Sequence, residues 1–214
     1  MTAMNRIEIK ERYISADLSV KSFFIDGRPL SAYIDEWTAP PNDVSVSISP
    51  TEDLAICWTP DYDFKGDADF MRFVLGLDHA ITPILSCPDD FDFSCIVIVA
   101  EVIKQKDTVI WKRIGRVDHT AESFEREKAS GILCVEAYTD EDRARYGHTI
   151  APERVDSPTW RQWIGEHWDE ELYRRRINYT FPYYQNEKNI EWFAACHFEF
   201  DREEYDTLVE SCYA

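Results

Sequence analysis

The chain has only 7 glycines and 3 methionines in 214 residues, and 23 Lys and Arg against 41 Asp and Glu. Each shortage excludes something. So few glycines leave no glycine-rich phosphate loop and no dinucleotide fingerprint, and they argue against a repetitive β architecture. Nucleic acid is held by Lys and Arg that displace counterions, so a chain with a formal charge of −18 repels it. No apolar run reaches the length of about eighteen residues that a membrane span needs. The opening MTAMNRIEIK has no apolar centre, so no secretory signal is expected. G-x-S-x-G and H-E-x-x-H motifs are missing, as is any internal repeat.

What is present is material for a core. Hydrophobic residues make up 44% and aromatics 14%, which suits a folded chain and not a disordered one. The six cysteines are Cys57, Cys87, Cys95, Cys134, Cys196 and Cys212, most of them in apolar company. With no secretory signal they read as reduced, mostly buried thiols of a cytoplasmic protein.

The pattern along the chain predicts an α+β fold. RIEIKERYI and LSVKSFFI alternate as strands do, and Asp26-Gly27 makes a turn after them. PLSAYIDEW puts Leu30, Tyr33, Ile34 and Trp37 on one face of a helix. Strands are expected at 44–48 and 54–58, and a helix at 67–77 with Asp67 as its cap and Phe70, Phe73, Val74 and Leu77 inward. CIVIVAEVI and TVIWKRIG form a hairpin across KQKD, another strand covers 131–138, and a short helix follows at 140–147.

In the C-terminal third a helix runs from Thr159 to Arg176, its last three arginines at the end that prefers cations. An aromatic loop, a short strand over CHFEF and a final helix capped by Asp201 complete the chain. The sum is a mixed, mainly antiparallel sheet with helices packed on it and a helical, aromatic-rich C-terminal third. A single domain over 1–214 is expected, with a possible subdivision near 147–159.

Three patterns bear on chemistry. In PDYDFKGDADF, Asp61, Asp63, Gly66 and Asp69 match part of a calcium loop, but Lys65 and Arg72 stand where oxygen ligands belong. In LSCPDDFDFSC the cysteines are too far apart for a zinc pair, and Asp89, Asp90 and Asp92 alone leave a cation shell incomplete. Cys196 and His197 are sequence neighbours, so on a strand they point to opposite faces and make no nucleophile–base pair. No catalytic residue, metal or cofactor is therefore assigned. Charge remains. Between Asp35 and Cys95 thirteen acids oppose only Lys65 and Arg72.

The stretch SFFIDGRPLSAYIDEW, residues 22–37, resembles the opening of immunity proteins from bacterial polymorphic-toxin systems. The resemblance implies a small, acidic α+β protein that binds and blocks a toxin domain without catalysis. Its partner would be a basic protein such as a nuclease-like toxin. The expected contacts are Asp61, Asp63, Asp89, Asp90 and Asp92, with Trp58 and Tyr62 as aromatic anchors. Two alternatives are a metal-dependent hydrolase using the same turn aspartates and a non-catalytic structural or regulatory domain.

Overall fold

The computed structural model describes residues 4–13, 19–39, 51–62, 65–88, 93, 96–118, 140–141, 144 and 165–214. The strands expected at 44–48 and 131–138, most of the 140–147 helix, the 147–159 joint, Trp160 and Trp163 lie outside them.

The chain builds two antiparallel sheets with helices against them. The first sheet is β1 (Ile7–Tyr13), β2 (Ser19–Ile25) and β3 (Arg28–Pro29). Between β2 and β3, Asp26 and Gly27 have φ of 54° and 80°. Positive φ at both central residues gives a two-residue turn the twist that matches paired strands, and Asp-Gly tolerates it. Helix α1 (Leu30–Thr38) follows at once, burying Leu30 and Ile34 fully and Tyr33 and Trp37 in part.

The second sheet runs β4 (Ala55–Ile56), β5 (His79–Ser86), β6 (Val97–Lys104), β7 (Thr108–Val117) and β8 (Ile190–Ala194). A last strand, β9 (Phe198–Asp201), also pairs with β7. β8 and β9 lie end to end along one edge of β7, opposite Ile114–Val117 and Thr108–Trp111. His197, in the kink between them, has a left-handed φ of 50°. The sequence did not suggest β8.

Helix α2 (Lys65–Leu75) packs against α3 (Trp168–Arg175). Gly66 is where they meet, since a Cβ there would lie 2.5 Å from the Asp169 carbonyl oxygen. Asp67 is not the cap of α2. It is buried inside the first turn and accepts from Arg176 Nε at 2.7 Å. Phe73 is not inward either; it is partly exposed against Phe181.

Arg174 and Arg175 stand in the last turn of α3, the end that prefers cations, and all three arginines 174–176 are buried. Arg174 and Arg175 donate to the buried Glu171 at 3.0 and 2.9 Å. The segment after them is not a loop. Arg176–Thr180 winds as a π-helical turn and Phe181–Gln185 as α4. Helix α5 (Arg202–Ser211) ends the chain, and Asp201 caps it by accepting from Glu204 N at 3.0 Å.

The core is aromatic. Phe23, Trp58, Trp111, Phe200 and Tyr205 are each at most 1% exposed, and edge-to-face contacts link them, as for Phe23 and Trp58 at 4.7 Å. Their polar atoms are paired. Trp111 Nε1 donates to Tyr205 Oη at 3.0 Å, and Trp58 Nε1 to the Pro83 carbonyl at 3.2 Å. This core draws on β2 from the first sheet and β7 and β9 from the second.

Candidate functional site

Of the expected contact residues, Asp63, Asp89, Asp90 and Asp92 lie outside the described residues. Asp61 is exposed, in a turn closed by its hydrogen bonds with Thr59. It lines a cleft of about 320 Å³ with Pro88, Val20 and Ile56, so the turns at 59–62 and 87–88 do come together. Trp58 and Tyr62 require a correction. Trp58 is 1% exposed and Tyr62 8%, so neither presents a face to a partner. Tyr62 instead donates to the Cys57 carbonyl at 2.8 Å and packs its ring, tilted by 33°, against Phe93 at 5.6 Å, fastening the two turns from inside.

Cys57 and Cys196 are inert. Burial pushes the Cys57 thiol up to about 12 and the Cys196 thiol up to about 11, so neither supplies a thiolate at neutral pH. Cys196 spends its proton on the Trp111 carbonyl at 3.3 Å. Cys57 is fully buried, while Cys87, Cys196 and Cys212 are only partly so, fewer buried thiols than their apolar neighbours suggest. Among the described residues no three His, Cys, Asp or Glu side chains converge on a position for a metal ion. The residues that break the calcium pattern pair with Asp69, Lys65 at 3.6 Å and Arg72 at 3.5 Å. No described helix is long and apolar enough to cross a membrane.

A charged cluster on the second sheet is structural. A bulge opposes Glu101 of β6 to both Lys112 and Arg113 of β7. The buried Glu101 carboxylate accepts from Lys112 Nζ at 3.1 Å and Arg113 Nε at 2.5 Å, with His79 Nε2 at 3.3 Å. Burial drives its pKa up, but the hydrogen bonds from Lys112, Arg113 and His79 outweigh that and hold it below the ordinary value.

An open groove of about 780 Å³ lies between β1 and α5. Four consecutive residues, Arg6 to Ile9, form one wall. Successive side chains of a strand point to opposite faces, so a wall of consecutive residues is a strand seen edge-on. The other wall comes from α5, where Glu203, Glu204, Thr207, Leu208 and Ser211 share one helical face. Ile7, Ile9 and Leu208 make its apolar floor. Glu8, Asp201, Glu203 and Glu204 supply four acids against the single base Arg6, which already pairs with Glu8 at 3.3 Å.

The groove exists because two segments diverge. Asn5 N donates to the Glu199 carbonyl at 2.7 Å, and Glu199 N donates to Asn5 Oδ1 at 2.9 Å. The chain before β1 and β9 are therefore joined at that point. At Asp201 the chain turns into α5, which touches β1 but, being a helix, continues no strand pairing along it. Asp201, Glu203 and Glu204 have a local reason to be there, since a cap and first-turn acids suit a helix N-terminus. Glu8 pairs on its own strand with Arg6 and Lys10, at 3.3 and 3.0 Å, and the topology sets it beside those three acids. The sequence reading missed this surface because its acids lie about two hundred residues apart, one on a strand and three at a helix start. The capping pattern at Asp201 was visible; its neighbour was not.

No family model matches the chain, and no curated protein or solved structure proved similar to it.

Proposed function

We propose that the protein is a non-catalytic binding protein for a basic protein partner, as an immunity protein is for a toxin domain. The observation that carries this reading is the acidic groove between β1 and α5, an open cleft with an apolar floor and a rim of four acids against one base, on a chain of charge −18. Such a rim speeds the encounter with a cation-rich surface, while the floor supplies contact area that keeps the complex together. The exposed Asp61 turn adds to the same sign of charge. Buried, protonated thiols and a fully paired Glu101 leave those groups no part in chemistry.

The test is association kinetics with the protein encoded immediately beside this one. Complex formation is expected, with an on-rate that falls at least about tenfold between about 0.02 M and about 0.5 M salt. An on-rate indifferent to salt, or no complex, removes the reading.

A further inference from the structure

A strand edge carries a row of backbone donors and acceptors that must be paired, covered or left for something else to pair. The phase of the β1–β2 ladder is set by Asp26 N, which donates to the Arg6 carbonyl at 2.9 Å. In an antiparallel pair such bonds recur at every second residue. With Glu8 opposite Phe24 and Lys10 opposite Ser22, residues 8, 10 and 12 face β2. The N–H and C=O groups of Ile7, Ile9 and Glu11 therefore point away from it. β1 is the terminal strand of its sheet, and among the described residues these outward groups have no backbone or side-chain partner. The same parity explains Asn5, whose outward N–H is the one that reaches Glu199. Pairing begins there, stops where β9 turns into α5, and leaves the edge facing the groove.

We propose that this edge accepts an extended segment of a basic protein as an added strand. The proposal rests on the binding reading above and specifies how the partner is held. Ile7, Ile9 and Glu11 offer donors and acceptors at alternate positions, which is what strand addition uses for affinity. Side chains of the incoming strand that point toward α5 meet Ile7, Ile9 and Leu208, and then the rim of Glu203 and Glu204. Lys and Arg fit both, since their stems cover apolar floor while their heads reach the carboxylates. Charge also argues against the other obvious occupant, a second copy of this chain. Two copies joined along β1 would bring together two chains of charge −18 and set the Glu203 and Glu204 rims of both beside one seam.

The probe is a decapeptide in which Lys alternates with Val, used beside the same peptide N-methylated at alternate residues. N-methylation removes peptide donors and keeps the charge. The expected result is binding of the first peptide, with amide exchange of Ile7, Ile9 and Glu11 slowed at least about tenfold. The methylated peptide should bind at least about tenfold more weakly.

Equal binding of both peptides, or binding without protection of those amides, overturns strand addition and leaves a charge-driven binding protein standing. No binding of the first peptide overturns it too. If the same three amides are already protected without peptide, and dilution to the monomer releases them, the occupant is a second copy and the proposal is wrong. Failure of the binding reading shows separately, as absence of a complex with the neighbouring gene's protein.

Discussion

Two strand edges in this protein receive opposite treatment. β5 runs past the end of the short β4, which pairs only with Leu85 and Ser86, and its remaining edge is closed piece by piece. Gln185 of α4 turns its side-chain amide to Ile81, accepting from the N–H at 2.8 Å and donating to the C=O at 2.9 Å. Cys57 N reaches the Ile84 carbonyl at 3.0 Å, and the Trp58 indole reaches the Pro83 carbonyl at 3.2 Å. A side-chain amide, a backbone amide and an indole replace the missing strand. Among the described residues, β1 receives none of this beyond Asn5. The difference lies in what each edge faces. β5 is buried under α4, where an unpaired peptide group costs roughly 1–3 kcal/mol, so the fold must supply partners. β1 faces an open groove where water serves. An edge that the fold has no need to close is free to be used.

The largest effect that bears on this contrast comes from proline scanning of β1. Lys10→Pro removes an N–H that faces β2 and should cost about 3 kcal/mol, read as a fall in the urea midpoint. Glu11→Pro removes an outward N–H and should cost about 1 kcal/mol or less, because proline is tolerated on a free edge. The same Glu11→Pro protein should bind the Lys–Val peptide several-fold more weakly. Equal loss of stability from the two substitutions would mean that the outer edge of β1 is already paired, and the distinction between the edges would collapse.

Next in size is Gln185→Ala. It leaves the buried N–H and C=O of Ile81 without partners and should destabilise by about 2 kcal/mol. The urea midpoint should fall with the slope unchanged, and the Ile81 amide should exchange faster. Gln185→Glu keeps the acceptor and loses the donor, so it should fall between wild type and alanine. A neutral Gln185→Ala would show that the β5 edge is closed by packing and not by these bonds.

The sequence made β1, β2, β6 and β7 legible, left β8 unseen, and made the edges illegible. Alternation in 6–14 and 18–25, the Asp-Gly turn and the hairpin across 104–107 follow from rules of period two and positive φ, and each falls in place within a residue or two. The Asp201 cap was legible for the same reason: its partner is three residues away. Gln185 as a mimic of a strand was not, because the bond spans 104 residues and any exposed-looking Gln could make it.

Burial misled at Trp58 and Tyr62. Acidic turn neighbours made them look like surface anchors, but Phe23, Trp111 and Tyr205 from distant segments enclose the Trp58 ring. The arginines 174–176 were legible in part. Arg174 and Arg175 do stand in the last turn of a helix, the end that prefers cations, but their burial and their partners Asp67 and Glu171 do not follow from the sequence.

The smallest predicted effect concerns Asn5, which ties the outer side of the chain to β9 just before β1 begins. Asn5→Ala deletes the acceptor for Glu199 N and the donor to Asp26 Oδ2, at 2.9 and 2.7 Å, while its own N–H still reaches the Glu199 carbonyl. These bonds are exposed, so their loss should cost about 1 kcal/mol. The amides of Asn5 and Glu199 should exchange faster, since the fork that ends the groove is loosened. The Ile81 amide, on the closed edge, should not respond. If it does, the two edges belong to one cooperative unit, and opening one cannot be argued apart from opening the other. If it does not, β1 can bend toward an incoming strand without disturbing the sheet behind it, which is the mechanical condition for using that edge at all.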